Sequence, residues 1–257
     1  MLNIGLVLPD VLGTYGDDGN ALVLRQRARM RGLDAEIHPI RLGEPVPETL
    51  DIYTIGGGED TAQILAAEHL IADGGLTRAA TAGRPILAIC AGLQVLGESF
   101  RASGRIIDGV GLIDATTAGM QDRAIGEVSS TPTGADVTAD LTEPLTGFEN
   151  HLGATILGPS AQPLGTLTRG NGNADQAATA DLADGSTQRT YEGAVQGSVI
   201  ATYMHGPALA RNPQLADLLL AQAMGIPLAD LDPLDIPAVD RLRTERFNAA
   251  EPPRSQR

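Results

Sequence analysis

Lysine is absent from the 257 residues, and all 18 basic side chains are arginine. That absence excludes a P-loop lysine, a Schiff-base lysine and a Ser-Lys dyad together. If the protein takes part in ATP-driven chemistry, the nucleotide is expected on a partner. Cysteine occurs once, at Cys90, so an intrachain disulfide and a multi-cysteine zinc site are excluded. No apolar run approaches the roughly 18 residues that a bilayer span needs. The segment MLNIGLVLPDVLG has no basic n-region of the kind that opens a secretory signal. Positive charge is also scarce: 18 basic residues face 32 acidic ones, for a net charge of −14. The basic footprint that neutralises phosphates is missing, which argues against a nucleic-acid surface. A soluble cytoplasmic protein is expected, with no nucleic-acid partner and no membrane insertion.

What is present is a large apolar fraction, 42% of the chain, enough for one large core or two modest ones. The first half alternates strand and helix signals. Leu2 to Leu8, Ala35 to Ile40 and Asp51 to Ile55 read as strands. Between them, Asn20 to Gly32 reads as a helix with Asn20 as N-cap and Leu22, Val23 and Leu24 as its buried stripe, and EDTAQILAAEHLIADGG reads as a second helix. Strands spaced by helices imply parallel crossovers, an open α/β sheet, and a ligand beyond the carboxyl ends of the strands. From about Gly111 the pattern turns to short β-rich pieces separated by glycines, as in antiparallel hairpins. Asn212 to Gly225 reads as the closing helix. Residues 1–225 are taken as one domain, and 226–257 as an extension, partly helical or disordered, in which AVDRLRTERFNAA is a candidate amphipathic helix.

The single cysteine lies in PILAICAGLQVLGES. Pro85 to Ile89 form a short buried run, and Leu93, Val95 and Leu96 begin a helical pattern directly after it. Cys90 therefore falls on a sharp strand-to-helix turn flanked by Ala88, Ala91 and Gly92. That geometry exposes a nucleophile and leaves backbone N–H groups free at the helix start, and the positive helix end favours a thiolate. A buried cysteine that merely packs is the alternative. One strand earlier, Ile55 to Asp60 read IGGGED. A glycine N–H there, paired with that of Ala91, would form an oxyanion hole; a flexible loop is the plainer reading.

A cysteine nucleophile needs a base, usually histidine. His38 lies in a strand and His69 in a helix, settings that suit structural roles. His205, in SVIATYMHGP, follows a buried β run and falls at a strand end, on the same rim as Cys90. His151, in the glycine-bounded GFENHLG, ranks below it, with a turn or a supporting hydrogen bond as its expected role.

Taken together, AICAGLQVLG, the GGG loop and YMHGP make the chain resemble the class I (triad-type) glutamine amidotransferases. Within that superfamily, YGDDGN (Tyr15 to Asn20), GGGED, RAIGE (Arg123 to Glu127), GFENH and GNGN (Gly170 to Asn173) look most like the glutaminase subunits of lipid II isoglutaminyl synthases, with cobyric acid synthases as relatives. The resemblance runs over about Asn3 to Met224. It implies a flavodoxin-like fold with added antiparallel strands, and hydrolysis of L-glutamine to glutamate and ammonia. Cys90 would be the nucleophile and His205 its base, and Ala91 with Gly57 or Gly58 would supply oxyanion donors. Gln94 would lie by the substrate, and Arg123 would grip the α-carboxylate with its planar fork. No metal or cofactor is implied on this chain. ATP and metal are expected on a Mur-ligase-like subunit that forms a heterodimer with it and amidates the D-glutamate of the lipid II stem peptide in cell-wall synthesis.

Two positions depart from the family pattern. Ala88 stands where relatives carry glycine, which asks only for slightly more room. Pro207 stands where an acid usually follows the histidine by two residues. The orienting carboxylate is then expected either elsewhere in this chain or on the partner, and without one the isolated subunit should be weak. The sequence also admits another acceptor such as a cobyrinic acid, a thiol hydrolase of a different amide, or a non-catalytic binding protein on the same fold.

Overall fold

Apolar runs too short for helices pair into a sheet, and the segments between them supply the helices that cover it. The computed structural model describes residues 1–13 and 15–248. In chain order its elements are β1 (Leu2–Val7), α1 (Gly19–Met30), β2 (Ala35–Ile40), β3 (Ile52–Ile55), α2 (Asp60–Asp73), α3 (Gly75–Thr81), β4 (Ile86–Ile89), α4 (Ala91–Leu96), β5 (Ser99–Ala102), β6 (Arg105–Asp108), β7 (Ala115–Pro132), β8 (Leu145–Leu157), β9 (Gly165–Arg169), α5 (Gly185–Gln188), β10 (Tyr191–Glu192), β11 (Ala194–Gln196), β12 (Val199–Thr202), α6 (Ala208–Arg211), α7 (Pro213–Met224) and α8 (Pro237–Phe247).

The first sheet has the order β11-β12-β4-β3-β1-β2. All its pairs are parallel except the edge pair of β11 with β12. β3, β4 and β12 are buried at every residue, as expected of parallel strands covered on both faces. Ala88 is fully buried in β4, in register with Ile55 and Ala201. The second sheet is built on β7, which pairs antiparallel with β8 and β9 and parallel with β5. One apolar core joins residues from both halves, from Ile4 and Leu24 to Leu164 and Leu219. An α/β fold with a mostly parallel sheet and added antiparallel strands is what the sequence pattern predicts.

Several local expectations need correction. Asn20 is not the N-cap of α1; it lies inside the helix, buried, with its side chain donating to the Asp17 carbonyl and accepting from the Leu209 N–H. The buried face of α1 is Asn20, Ala21, Leu24, Arg27 and Ala28, while Leu22 is half exposed. The helical period, rather than the run of consecutive apolar residues, selects that face. Of the short pieces expected after Gly111, those before Leu157 belong to two long strands, while β9 to β12 stay short: β7 runs through 18 residues, and a register shift between Gly119 and Ala124 absorbs its internal irregularity.

α8 docks through arginine rather than an apolar face, since none of its residues is buried. Arg243 pairs with Glu143 at 2.5 Å and donates to the Pro144 carbonyl. Residues 249–257, which hold the last part of the expected extension, lie outside the described residues. His38 bonds Asn3 from within β2, and His69 bonds the Glu44 carbonyl from α2; neither lines the cleft described below.

α1 and α7 are tied by a buried ionic clamp. Asp217 meets Arg27 through two bonds of 2.7 and 2.6 Å and Arg31 at 2.9 Å. Removing the acid leaves two buried guanidinium groups without their counter-charge. Asp217→Ala is expected to lower the unfolding free energy by about 3 kcal/mol in urea titration; a loss below about 1 kcal/mol, the scale of an exposed pair, would show that the clamp adds little.

Candidate active site

Four neighbouring strands, β12, β4, β3 and β1, point their carboxyl ends at one rim, where ligands of open α/β sheets bind. Cys90 caps β4, its N–H bonded to the Thr202 carbonyl of β12 at 2.8 Å. Its backbone has φ 54° and ψ −105°, a region that non-glycine residues rarely occupy and that marks stored strain. The turn presents the thiol at the start of α4, as the sequence predicts.

His205 lies three residues beyond the end of β12 and is held in place by β8: its N–H donates to the Phe148 carbonyl at 2.9 Å, and its carbonyl accepts the Phe148 N–H at 3.1 Å. Its Nδ1 faces both carboxylate oxygens of Asp17, at 3.0 and 3.1 Å. Asp17, on the loop after β1, thus puts a carboxylate of this chain at the place for an orienting acid, which the sequence left open between this chain and a partner. Nε2 of His205 is buried and makes no hydrogen bond of standard geometry among the described residues, while the nearby thiol of Cys90 acts on the ring. Burial lowers the His205 pKa, but the hydrogen bond to Asp17 and the interaction with Cys90 outweigh it and raise the value to about 10. The ring is therefore biased towards the imidazolium that a thiolate would face.

The three glycines of the β3 loop allow backbone to pass very close. A Cβ on Gly56 would come within 2.2 Å of the Leu12 carbonyl oxygen, and one on Gly57 would lie 3.2 Å from both Asp17 and His205. The Gly57 N–H donates to Asp17 Oδ2 at 3.0 Å. This removes Gly57 from the expected oxyanion hole and makes it a clamp on the acid. Gly58 lines the cleft with Cys90. Its N–H and that of Ala91, the first residue of α4, are without hydrogen-bond partners among the described residues, an arrangement that can receive an oxyanion.

The cleft encloses about 240 Å³ and includes Cys90, Gln94, Arg123, Tyr15, Glu59 and His151 in its lining. Gln94 is buried, and its Nε2 donates to the Tyr203 hydroxyl at 3.2 Å. Arg123 is exposed on β7 and donates to Asn150 at 2.8 Å. His151 is a buried residue of β8 rather than part of a turn; it stacks on Tyr203 with ring centroids 3.6 Å apart, and its Nδ1 lies 2.9 Å from the Gly153 carbonyl. Behind this wall, fully buried Glu192 accepts from the Thr202 hydroxyl and the Tyr203 N–H, and burial pushes its carboxyl up to about 7.

Sequence reasoning missed Asp17, Tyr15 and the place of His151 in the wall. The usable signal for Asp17 was an aspartate pair in a glycine-rich loop at the same rim as Cys90.

The CobB/CobQ-like glutamine amidotransferase domain model matches residues 3–213. Subunit GatD of the glutamine-hydrolysing lipid II isoglutaminyl synthase from Streptococcus pneumoniae is 33% identical over 227 residues, 87% of this chain and 80% of the relative. Its counterpart from Staphylococcus aureus is 33% identical over 232 residues, 88% of this chain and 87% of the relative. A cobyric acid synthase from Sphingopyxis alaskensis is 29% identical over 70% of this chain but only 33% of its own length. Among solved structures, a glutamine amidotransferase superposes with a TM-score of 0.54 at 18% identity, covering 86% of this chain and 98% of the other. The glutaminase domain of Trypanosoma brucei CTPS superposes at 0.51 and 12% identity, covering 88% and 95%. At these identities the two structures establish the fold alone.

The raised His205 pKa makes a titration prediction. Imidazolium-dependent stabilisation is fully present below the unfolded value of about 6.5 and is lost as pH rises through about 10. NMR titration of the His205 ring is expected to place its midpoint near 10, and Asp17→Asn is expected to move it to lower pH, because the largest raising contact is gone while burial remains. An unchanged midpoint would show that Asp17 does not govern this histidine.

Proposed function

The chain belongs to the CobB/CobQ-like glutamine amidotransferase family, and on that premise we propose that it hydrolyses L-glutamine through a Cys90 thioester and delivers the ammonia to a Mur-ligase-like partner subunit. The observation that carries the reading is Cys90 on a strained turn beside a histidine held by Asp17. The choice of acceptor rests on the two GatD relatives, which match most of both chains. The match to cobyric acid synthase covers only a third of that protein. In this reading the partner, in a cytoplasmic heterodimer, amidates the D-glutamate of the lipid II stem peptide for peptidoglycan synthesis. ATP and its metal belong to that partner.

The side chains divide the work. The Cys90 thiolate attacks the side-chain amide carbon, and the carbonyl oxygen takes up negative charge facing the N–H groups of Ala91 and Gly58. The His205 imidazolium donates its Nε2 proton to the departing nitrogen, so ammonia leaves and a thioester remains. Neutral His205 then takes a proton from water as the water attacks the thioester, and collapse of the second oxyanion releases glutamate and Cys90. Asp17 keeps the ring in one tautomer and stabilises its charge in both halves. Gln94 borders the reacting amide, and Arg123 pairs the α-carboxylate. Because the orienting acid belongs to this chain, the isolated protein is expected to turn over glutamine, and a partner to raise the rate rather than create it.

Glutamate release from L-glutamine, with and without the ligase subunit, is the test. Cys90→Ala is expected to abolish it in both settings. Asp17→Asn should lower kcat by on the order of a hundredfold to ten-thousandfold, and Arg123→Ala should act mainly by raising KM. Turnover persisting in Cys90→Ala would overturn the proposal. Full activity of Asp17→Asn only in the complex would move the orienting acid to the partner.

A further inference from the structure

Glu59 stands where a helix cap belongs, yet it does not cap. It precedes α2 with φ −82° and ψ 164°, and its side chain makes no capping hydrogen bond. Short polar residues are usual at such a position because they reach back to the free N–H groups of the first turn. The Glu59 carboxylate instead turns to the cleft, where Oε1 accepts the Tyr15 hydroxyl at 2.7 Å. That bond fixes the carboxylate, and among the described residues no hydrogen bond or ion pair engages Oε2.

The surroundings form a two-charge frame. Tyr15 tilts against the His205 ring with centroids 5.2 Å apart, so Glu59 is one residue removed from the catalytic histidine. The Tyr15 pKa is raised first by the hydrogen bond to Glu59 and next by burial; the charges of Glu59 and Cys90 add to the rise, and that of Arg123 opposes it. An anion, a cation and the nucleophile thus all act on the same hydroxyl. Arg123 brings the cation from β7, across the cleft. The other carboxylate in the lining at this helix end, Asp60, is engaged with the Ser103 N–H at 2.6 Å. The two acids together offset the positive end of α2, which would otherwise repel a cation.

A glutamine that presents its side-chain amide to Cys90 carries a carboxylate and an ammonium at its other end. Arg123 answers the first charge, and nothing assigned so far answers the second. Resting on the glutaminase reading, we propose that Glu59 binds the α-ammonium of glutamine, with Tyr15 as the residue that positions it. The pair Arg123 and Glu59 then restricts the site to a free amino acid. A simple carboxamide lacks the ammonium, and a peptide-linked glutamine has lost it to an amide bond.

The test uses the full chain carrying Cys90→Ala, which cannot turn over, and calorimetric titration with two ligands: L-glutamine, and 4-carbamoylbutanoate, its analogue without the amine. L-glutamine is expected to bind more tightly. Adding Glu59→Gln keeps an acceptor for the Tyr15 hydroxyl but removes the charge. It should weaken L-glutamine by about tenfold to a hundredfold, the range for a charge-assisted hydrogen bond, and leave the analogue unchanged. Equal weakening of both ligands would reduce Glu59 to a prop for the loop and overturn the inference. So would L-glutamine affinity that Glu59→Gln does not alter. Failure of the Cys90→Ala chain to bind L-glutamine at all would overturn the glutaminase reading as well, which distinguishes the two failures.

Discussion

The bond between Asp17 and His205 joins side chains 188 residues apart and holds the site together. A fully buried carboxylate is stable only when charge or hydrogen bonds replace its lost water. Here the imidazole provides one partner and the Gly57 N–H another. Each contact comes from a different strand end, so one acid fixes the relative positions of the loops after β1, β3 and β12. Cys90, at the end of β4 between them, is placed by that same convergence. The strain in its backbone is tolerated because Thr202 and the fully buried β4 on either side of the turn leave it little freedom to relax.

This constraint explains the run of three glycines better than flexibility does. Gly56 has no room for a side chain beside the Leu12 backbone, and Gly57 must lie flat against the acid and the histidine. The β1 loop can bring Asp17 to His205 only because the β3 loop offers no side chains in the way. Asn20 completes the arrangement: from within α1 it accepts the Leu209 N–H just beyond the histidine and donates to the Asp17 carbonyl. A residue that reads in sequence as a helix cap is thus a link between the acid's loop and the base's loop.

The parts of the site legible in sequence are those whose signal is local. Cys90 is marked by a buried run, small residues and a helix start within about a dozen positions, and His205 by a strand followed by Gly-Pro. The parallel sheet follows from alternating elements. Asp17 carries no comparable mark, because its role exists only once β1 and β12 lie in one sheet with two strands between them. Within YGDDGN nothing separates Asp17 from Asp18 except which side chain faces inward. Gly57 and Gly58 are likewise alike in sequence, and only the bond from the Gly57 N–H to Asp17 tells them apart. The long β7 was hidden for the opposite reason: glycines that read as turns are accommodated inside a strand by a register shift.

The cleft draws its lining from both sheets. Cys90, His205, Asp17 and the glycine loop all belong to strand ends of the first sheet or the loops after them, whereas Arg123, Asn150 and His151 come from β7 and β8 of the second. The two are joined where β8 bridges to His205 through Phe148, and where Arg211, just after the histidine, pairs with Glu127 of β7 at 2.5 Å. β8 is itself braced from behind, since Glu149 accepts three hydrogen bonds from Asn171 and Gly172. The motif pieces around Glu127, Glu149 and Asn171, scattered along the chain, therefore form one support for the β7–β8 wall of the cleft. A change in that wall reaches His205 through the Phe148 bridge. A change in the β1 loop moves Asp17 against His205 and Tyr15 against Glu59 together, so that loop couples the Cys90 turn to the opening of the cleft.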